Sequence, residues 1–131
     1  MCIFCQIVSG EIPSYKVYED EKTLAFLDIR PVNPGHTLVI PKAHYKNLEE
    51  IPEAELSETV VVVKKIGRLL KEKLDVAGYN VFENNDPVAG QEVSHLHFHI
   101  VPRRLGDGHA AWQQQEYQPG IAAEVLKKLT S

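Results

Sequence analysis

The spacing of apolar positions changes several times along this chain, and each change marks an element. Ile3, Phe4 and Ile7 share one face of a short helix within residues 2–12, ending near Gly10 ahead of Pro13. Val17-Tyr18-Glu19 has the character of a strand, Asp20-Glu21 of a turn, and Thr23 to Leu27 of the hairpin partner. Asp28 to Gly35, with two prolines and a glycine, is a loop. His36 to Ile40 is a short strand of high β propensity that Pro41 stops. Asn47 is placed to cap a turn, with Glu50 three residues on.

The longest periodic stretch runs from Pro52 to Val76. Leu56, Val60, Val63, Ile66, Leu70 and Leu74 recur in steps of three and four, the spacing of one helical face. Glu53, Glu55 and Glu58 crowd its start, and Lys64, Lys65, Arg68, Lys71 and Lys73 its end, as the helix dipole favours. Gly78 is placed to end it. Tyr79 to Glu83 is the next strand, and Asn84 to Ser94 is a loop containing Asp86-Pro87 and Gly90. Then His95-Leu96-His97-Phe98-His99-Ile100-Val101 alternates strictly, until Pro102 removes a backbone donor and closes the strand. Residues 103–109 are irregular, and Ile121 to Leu129 forms a short amphipathic helix. Strands in adjacent hairpins with helices set apart predict an α+β fold. Its mainly antiparallel sheet has about five strands, with one long helix and one or two short ones.

Composition narrows the class. At 131 residues without internal repeats or linkers, the chain makes one domain, residues 1–131. Its 44% apolar and 24% charged residues are those of an ordinary soluble protein. A net charge of −4 leaves no basic footprint for nucleic acid. No apolar run is long enough to cross a bilayer, and there is neither a signal-peptide pattern nor a glycosylation sequon. The expectation is a cytoplasmic protein with no nucleic-acid or membrane partner.

The alternating stretch carries the chemistry. Three of the six histidines fall within five residues. In an extended strand His95, His97 and His99 share one face, about 6–7 Å apart, while Leu96, Phe98 and Ile100 point into the core. A row of imidazoles can bind metal, move protons or supply a nucleophilic nitrogen; a solvated strand face would be served as well by Ser, Thr, Lys or Glu. Cys2 and Cys5 are the only cysteines, and a single C-x-x-C is a metal half-site, a redox pair or two packed thiols. Only Met1 precedes Cys2, so the strand that normally leads into a redox pair is missing. No Walker A loop and no acidic two-metal cluster occur, so phosphoryl chemistry here would use imidazole.

The sequence resembles the histidine triad (HIT) family, whose motif alternates three histidines with apolar residues; residues 95–101 fit it at every position. Cys2-Ile3-Phe4-Cys5, Ala25 to Pro31, Gly35 to Lys42 and Asn84 to Gln91 resemble the family's Hint-like bacterial branch. The likeness spans residues 2–104 and is weaker over 105–131.

That resemblance implies a homodimer with the sheet continued across it, and hydrolysis or transfer at the α-phosphorus of a purine nucleotide. The substrates implied are adenosine phosphoramidates or related adenylates, cleaved through a nucleotidyl-histidine intermediate. His97 is the implied nucleophile, His99 a donor to the phosphate, and His95 and His36 complete the catalytic set. Ile3, Phe4, Ile7, Phe26 and Ile29 would line the base pocket, and Asp28 would accept the ribose hydroxyls. Asn84 and the backbone of Gly90, Gln91, Glu92 and Val93 would supply donors to the phosphate. Cys2, Cys5, His44 and His95 would hold a structural zinc, and no metal is required at the phosphate. Glu92 departs from relatives that carry a hydroxyl there, and a carboxylate pointing inward would repel phosphate. Two other functions compete: a dinucleoside polyphosphate hydrolase (Fhit-like), and a zinc-stabilised nucleotide-binding or interaction module with little turnover.

Overall fold

The computed structural model describes residues 1–109 and 112–131. Its elements in order are α1 (Ile3–Ser9), β1 (Lys16–Glu19), β2 (Thr23–Leu27), β3 (Thr37–Pro41), α2 (Glu53–Leu74), β4 (Gly78–Glu83), β5 (Phe98–Arg103) and α3 (Ile121–Thr130). A single 3-10 turn, Pro87–Ala89, interrupts the loop between β4 and β5. The five strands form one antiparallel sheet in the order β1-β2-β3-β5-β4. The expected α+β architecture is thereby met.

Strand alternation splits the core in two. Ala25, Val39 and Ile100 face α2 and pack on Val62, Val63, Ile66 and Leu70. Leu24, Phe26, Leu38 and Ile40 face the other way and pack on Phe4 and Ile7 of α1. Cross-strand pairing sets Phe26, Leu38, His99 and Phe82 in one row, so His99 lies on the α1 side of the sheet. The hydrophobic effect thus seats the long helix on one face and leaves the histidine face to the short one.

One helix face and several boundaries differ from expectation. α2 buries Thr59, Val62, Val63, Ile66, Gly67 and Leu70, whereas Val60 and Leu74 are 46% and 41% exposed. The buried face is turned from the expected one because Gly67 admits the ring of Tyr79, where a Cβ would collide. α2 stops at Leu74, with Asp75 in the left-handed conformation at φ 52°. Gly78 instead opens β4.

The triad strand begins at Phe98, not His95, and Pro102 lies inside it. Pairing with β3 ends at Ile100, while pairing with β4 continues through Arg103. Pro102 turns its carbonyl to Asn33 Nδ2 at 2.9 Å, on the side β3 has left, so its missing N–H interrupts no ladder. α3 forms where expected but buries none of its residues. Among the described residues, no helix is long and apolar enough to cross a membrane.

Candidate active site and metal centre

Two clusters of polar side chains converge on the α1 face. Cys2 caps α1, its Sγ accepting the N–H of Cys5 at 3.4 Å. One turn of helix thus places both sulfurs together. Cys2 Sγ lies 3.4 Å from His95 Nδ1, Cys5 Sγ 3.6 Å from the same atom, and Cys5 Sγ 3.4 Å from His44 Nδ1. Ligand atoms of all four residues fall within 4.8 Å of one another. Zinc–sulfur bonds of about 2.3 Å and zinc–nitrogen bonds of about 2.0 Å at a tetrahedral angle put S and N about 3.5 Å apart. The spacing matches.

The tautomer matches too. His95 Nε2–H donates to the Pro41 carbonyl at 2.8 Å, which leaves the Nδ1 lone pair facing the sulfurs. His95 is fully buried and engaged at both ends, by the sulfurs at Nδ1 and by the Pro41 carbonyl at Nε2. Burial pushes its pKa down and keeps it neutral.

The second cluster joins Asp28, His36, His97 and His99. The Val32 N–H donates to His36 Nδ1 at 3.1 Å, so the proton of His36 is on Nε2. His36 Nε2–H donates to His99 Nδ1 at 2.9 Å, so the proton of His99 is on its own Nε2. Asp28 Oδ2 lies 3.7 Å from His36 Nε2, and Asp28 Oδ1 accepts the Arg30 N–H at 2.8 Å. His97 Nδ1–H donates to the His95 carbonyl at 2.7 Å, which leaves His97 Nε2 with a free lone pair.

Burial lowers the pKa of His36 and of His97; Asp28 raises both, and Glu92 also raises His97. Burial and then the neighbouring His97 and His36 bring His99 down to about 4. All three rings are therefore neutral at pH 7. Ligand atoms of Asp28, His36 and His99 also lie within 4.8 Å of one another. There, however, the His36 lone pair is spent on a backbone N–H and its proton on His99, an arrangement unsuited to a cation.

A cleft opens beside these rings. Its apolar end is made by Ile3, Phe4, Ile7, Phe26 and Ile29, and its polar end by Asp28, Arg30, Glu92, Val93, His97 and His99. Phe4 stands edge-on to His97 at 5.1 Å and to Phe26 at 5.4 Å. Ile29 is 83% exposed and forms the rim, not the floor. Phe82 stacks on His99 at 4.4 Å. That contact had no signal in the sequence; it follows from the β4–β5 register.

Asn84, Gly90 and Gln91 are not brought to the cleft. The Asn84 Nδ2 donates to the Gly90 carbonyl at 3.4 Å. Buried Gln91 accepts the Asp86 N–H at 2.8 Å and donates to the Lys46 carbonyl at 2.7 Å. Both amides brace the loop, and that of Gln91 is buried and satisfied where it lies. Glu92 stands at the rim and pairs with Arg30 at 3.3 Å, so its carboxylate is not aimed into the histidines.

Fold and site define an α+β protein with a histidine-lined cleft beside a thiol–imidazole cluster. A HIT domain model matches residues 9–106, and the chain belongs to the HIT family. It is 59% identical over 129 residues to an uncharacterised HIT-like protein of Methanocaldococcus jannaschii, covering 98% of each chain. It is 47% identical over 136 residues to an adenosine 5′-monophosphoramidase of Candida albicans, covering 97% of this chain and 90% of that one. Among solved structures it is similar to a zinc-bound histidine triad family protein of Mycobacterium smegmatis, with a TM-score of 0.80 at 42% identity. That match covers 88% of this chain and 84% of the other.

Proposed function

We propose that the chain is a hydrolase of adenosine 5′-phosphoramidates or related adenylates, acting at the α-phosphorus through His97. The observation that carries this reading is the His97 ring: Nδ1–H is tied to the His95 carbonyl, and the free Nε2 belongs to a residue lining the cleft. Attack forms an Nε2–P bond as the P–N bond breaks, and the departing amine takes the bonding pair and a proton from solvent. Water then attacks phosphorus, its oxygen staying on AMP and its proton going to solvent, while the Nε2–P pair returns to Nε2. His99 Nε2–H, directed by His36, stabilises the phosphoryl oxygens as charge develops. The base lies among Ile3, Phe4, Ile7 and Phe26, and the ribose near Asp28. The phosphoramidase similarity supports the substrate class.

Cys2, Cys5, His44 and His95 would hold zinc, whose chemistry here is to crosslink α1 to the approach to β5. No step passes through a metal at the phosphate. The second copy of a homodimer would pair on β4. That edge, Gly78–Glu83, has no proline, leaves Val81 exposed and carries its one charge at its end, Glu83, whereas edge β1 carries Lys16, Glu19 and a bulge. Sedimentation at micromolar concentration showing only monomer would remove the dimer.

The decisive experiment compares turnover of adenosine 5′-phosphoramidate with that of a diadenosine polyphosphate. Faster turnover of the phosphoramidate is expected. Preference for the polyphosphate would support the Fhit-like reading, and failure on both with tight AMP binding an interaction module.

A further inference from the structure

The lining of the cleft holds three charged residues among those described: Asp28, Arg30 and Glu92. Asp28 sits inside the cleft, with Oδ1 on the Arg30 N–H at 2.8 Å and Oδ2 3.7 Å from His36 Nε2. The other two stand on opposite lips. Arg30 follows β2 and Glu92 precedes β5, 62 residues apart in sequence. A single contact, Arg30 Nη2 to Glu92 Oε2 at 3.3 Å, joins them, with the side chains 82% and 78% exposed. An exposed, single-point ion pair is weak and screened, so it opens readily.

The proposed reaction puts a leaving group between these lips. With the nucleoside at the apolar end and phosphorus at His97, the group departing in line with Nε2 leaves by the open rim. We propose that Glu92, regulated by Arg30, selects leaving groups by charge, favouring an amine that carries a second cationic centre over one that carries an anion. This inference rests on the phosphoramidase reading and deepens it.

The asymmetry follows from what each leaving group does to the pair. A cationic group takes the place of Arg30 on Glu92, and the freed guanidinium swings into water at little cost. An anionic group draws Arg30 to itself and strips Glu92 of its partner. The carboxylate, whose charge already acts on His97, is then left without a partner beside the α-phosphate and the second anion, and like charges repel. The pair therefore accepts positive charge and penalises negative charge, polyphosphate included. In the bond-making step nothing changes: the Nε2–P bond forms, the P–N bond breaks, and the amine leaves with its pair and a proton.

Two adenosine 5′-phosphoramidates of similar length test this: one made from 1,3-diaminopropane, ending in ammonium, and one from β-alanine, ending in carboxylate. Both kcat/KM and, by calorimetry, Kd are measured on wild type, Glu92→Gln and Arg30→Gln. Wild type is expected to favour the ammonium compound about tenfold or more. Glu92→Gln should bring the ratio toward one, and Arg30→Gln should widen it. Salt at about 0.5 M should flatten all three. A wild-type ratio near one, or a ratio unmoved by Glu92→Gln while both compounds turn over, overturns the inference. If neither compound turns over, the phosphoramidase reading fails. The Kd ratio across the same variants then decides the role of Glu92: unchanged by Glu92→Gln, it overturns the charge selection.

Discussion

The two histidine clusters are built from the same side chain within one small face of the sheet, yet they are prepared for opposite tasks. Around Cys2, Cys5, His44 and His95 the donor atoms converge, and the backbone carbonyl of Pro41 takes the one proton that would interfere. Around Asp28, His36 and His99 the nitrogens are as close, but a chain of N–H donors runs from Val32 through His36 to His99. What separates a donor set suited to a metal from a proton-ordered site here is not distance. It is which backbone group each imidazole meets, because that contact fixes the tautomer. His97 belongs to the second kind: the carbonyl of His95, a residue of the first cluster, holds its proton.

The sharpest way to break this comparison is to remove the lone pair assigned to His97. His97→Asn is expected to lower kcat about 10³-fold or more, as loss of a nucleophile does, while AMP affinity stays within a few-fold. Steady-state hydrolysis beside AMP calorimetry makes the check. Activity near wild type would transfer the nucleophile to another ring.

Next in size is the metal. Protein purified without added zinc is expected to carry close to one equivalent per chain, located by loss in Cys5→Ser. Chelation should lower Tm by roughly 10 °C, since α1 loses its tie to the approach to β5. A second equivalent bound at Asp28, His36 and His99 would erase the distinction drawn between the clusters. Less than about a tenth of an equivalent, with Tm unmoved by chelation, would remove the first centre.

Much of this was legible in the residues, and the rest was not for definite reasons. Period-two alternation holds from Phe98 on, where His99 pairs with Leu38 and Ile100 packs on α2, but not at the start of the motif, where His95, Leu96 and His97 are all buried and Phe98 is only half-buried. Residues 93–95 bend instead of continuing the strand, with the His95 N–H on the Val93 carbonyl at 2.8 Å and the Leu96 N–H on the Tyr45 carbonyl at 2.7 Å. The C-x-x-C spacing is a local property and carried over directly into the cap of α1. The face of α2 turned away from Val60 and Leu74 because a long-range contact, Tyr79 on Gly67, sets its rotation. Asn84 and Gln91 are polar residues in a glycine-bearing loop, and nothing local says that their amides are consumed by Gly90, Asp86 and Lys46. The tautomers depend on Val32, Pro41 and the His95 carbonyl, partners that only the folded chain supplies.

The smallest effect expected is the share of the pH dependence of stability that His99 contributes, and it sharpens the comparison because a His99 variant isolates the second cluster. His99 meets His97 and His36 among titratable groups, with Asp28 acting through space and Phe82 stacked on its far side. Burial and the two imidazoles lower its pKa from 6.5 to about 4. Between those values the unfolded chain binds a proton at His99 that the folded chain does not. Stability at this site is therefore complete above pH 6.5 and falls as pH drops toward about 4. His36 is shifted in the same direction, by burial, and adds to the slope. Loss of zinc would also destabilise the protein in acid, because its ligands must be deprotonated. Comparing wild type with His99→Gln separates the two, since that variant keeps Cys2, Cys5, His44 and His95. Thermal melts from pH 7 to pH 4.5, about half a unit apart, are expected to fall more steeply for wild type, by a few degrees across the window. Parallel curves would mean that His99 is not held neutral by the fold.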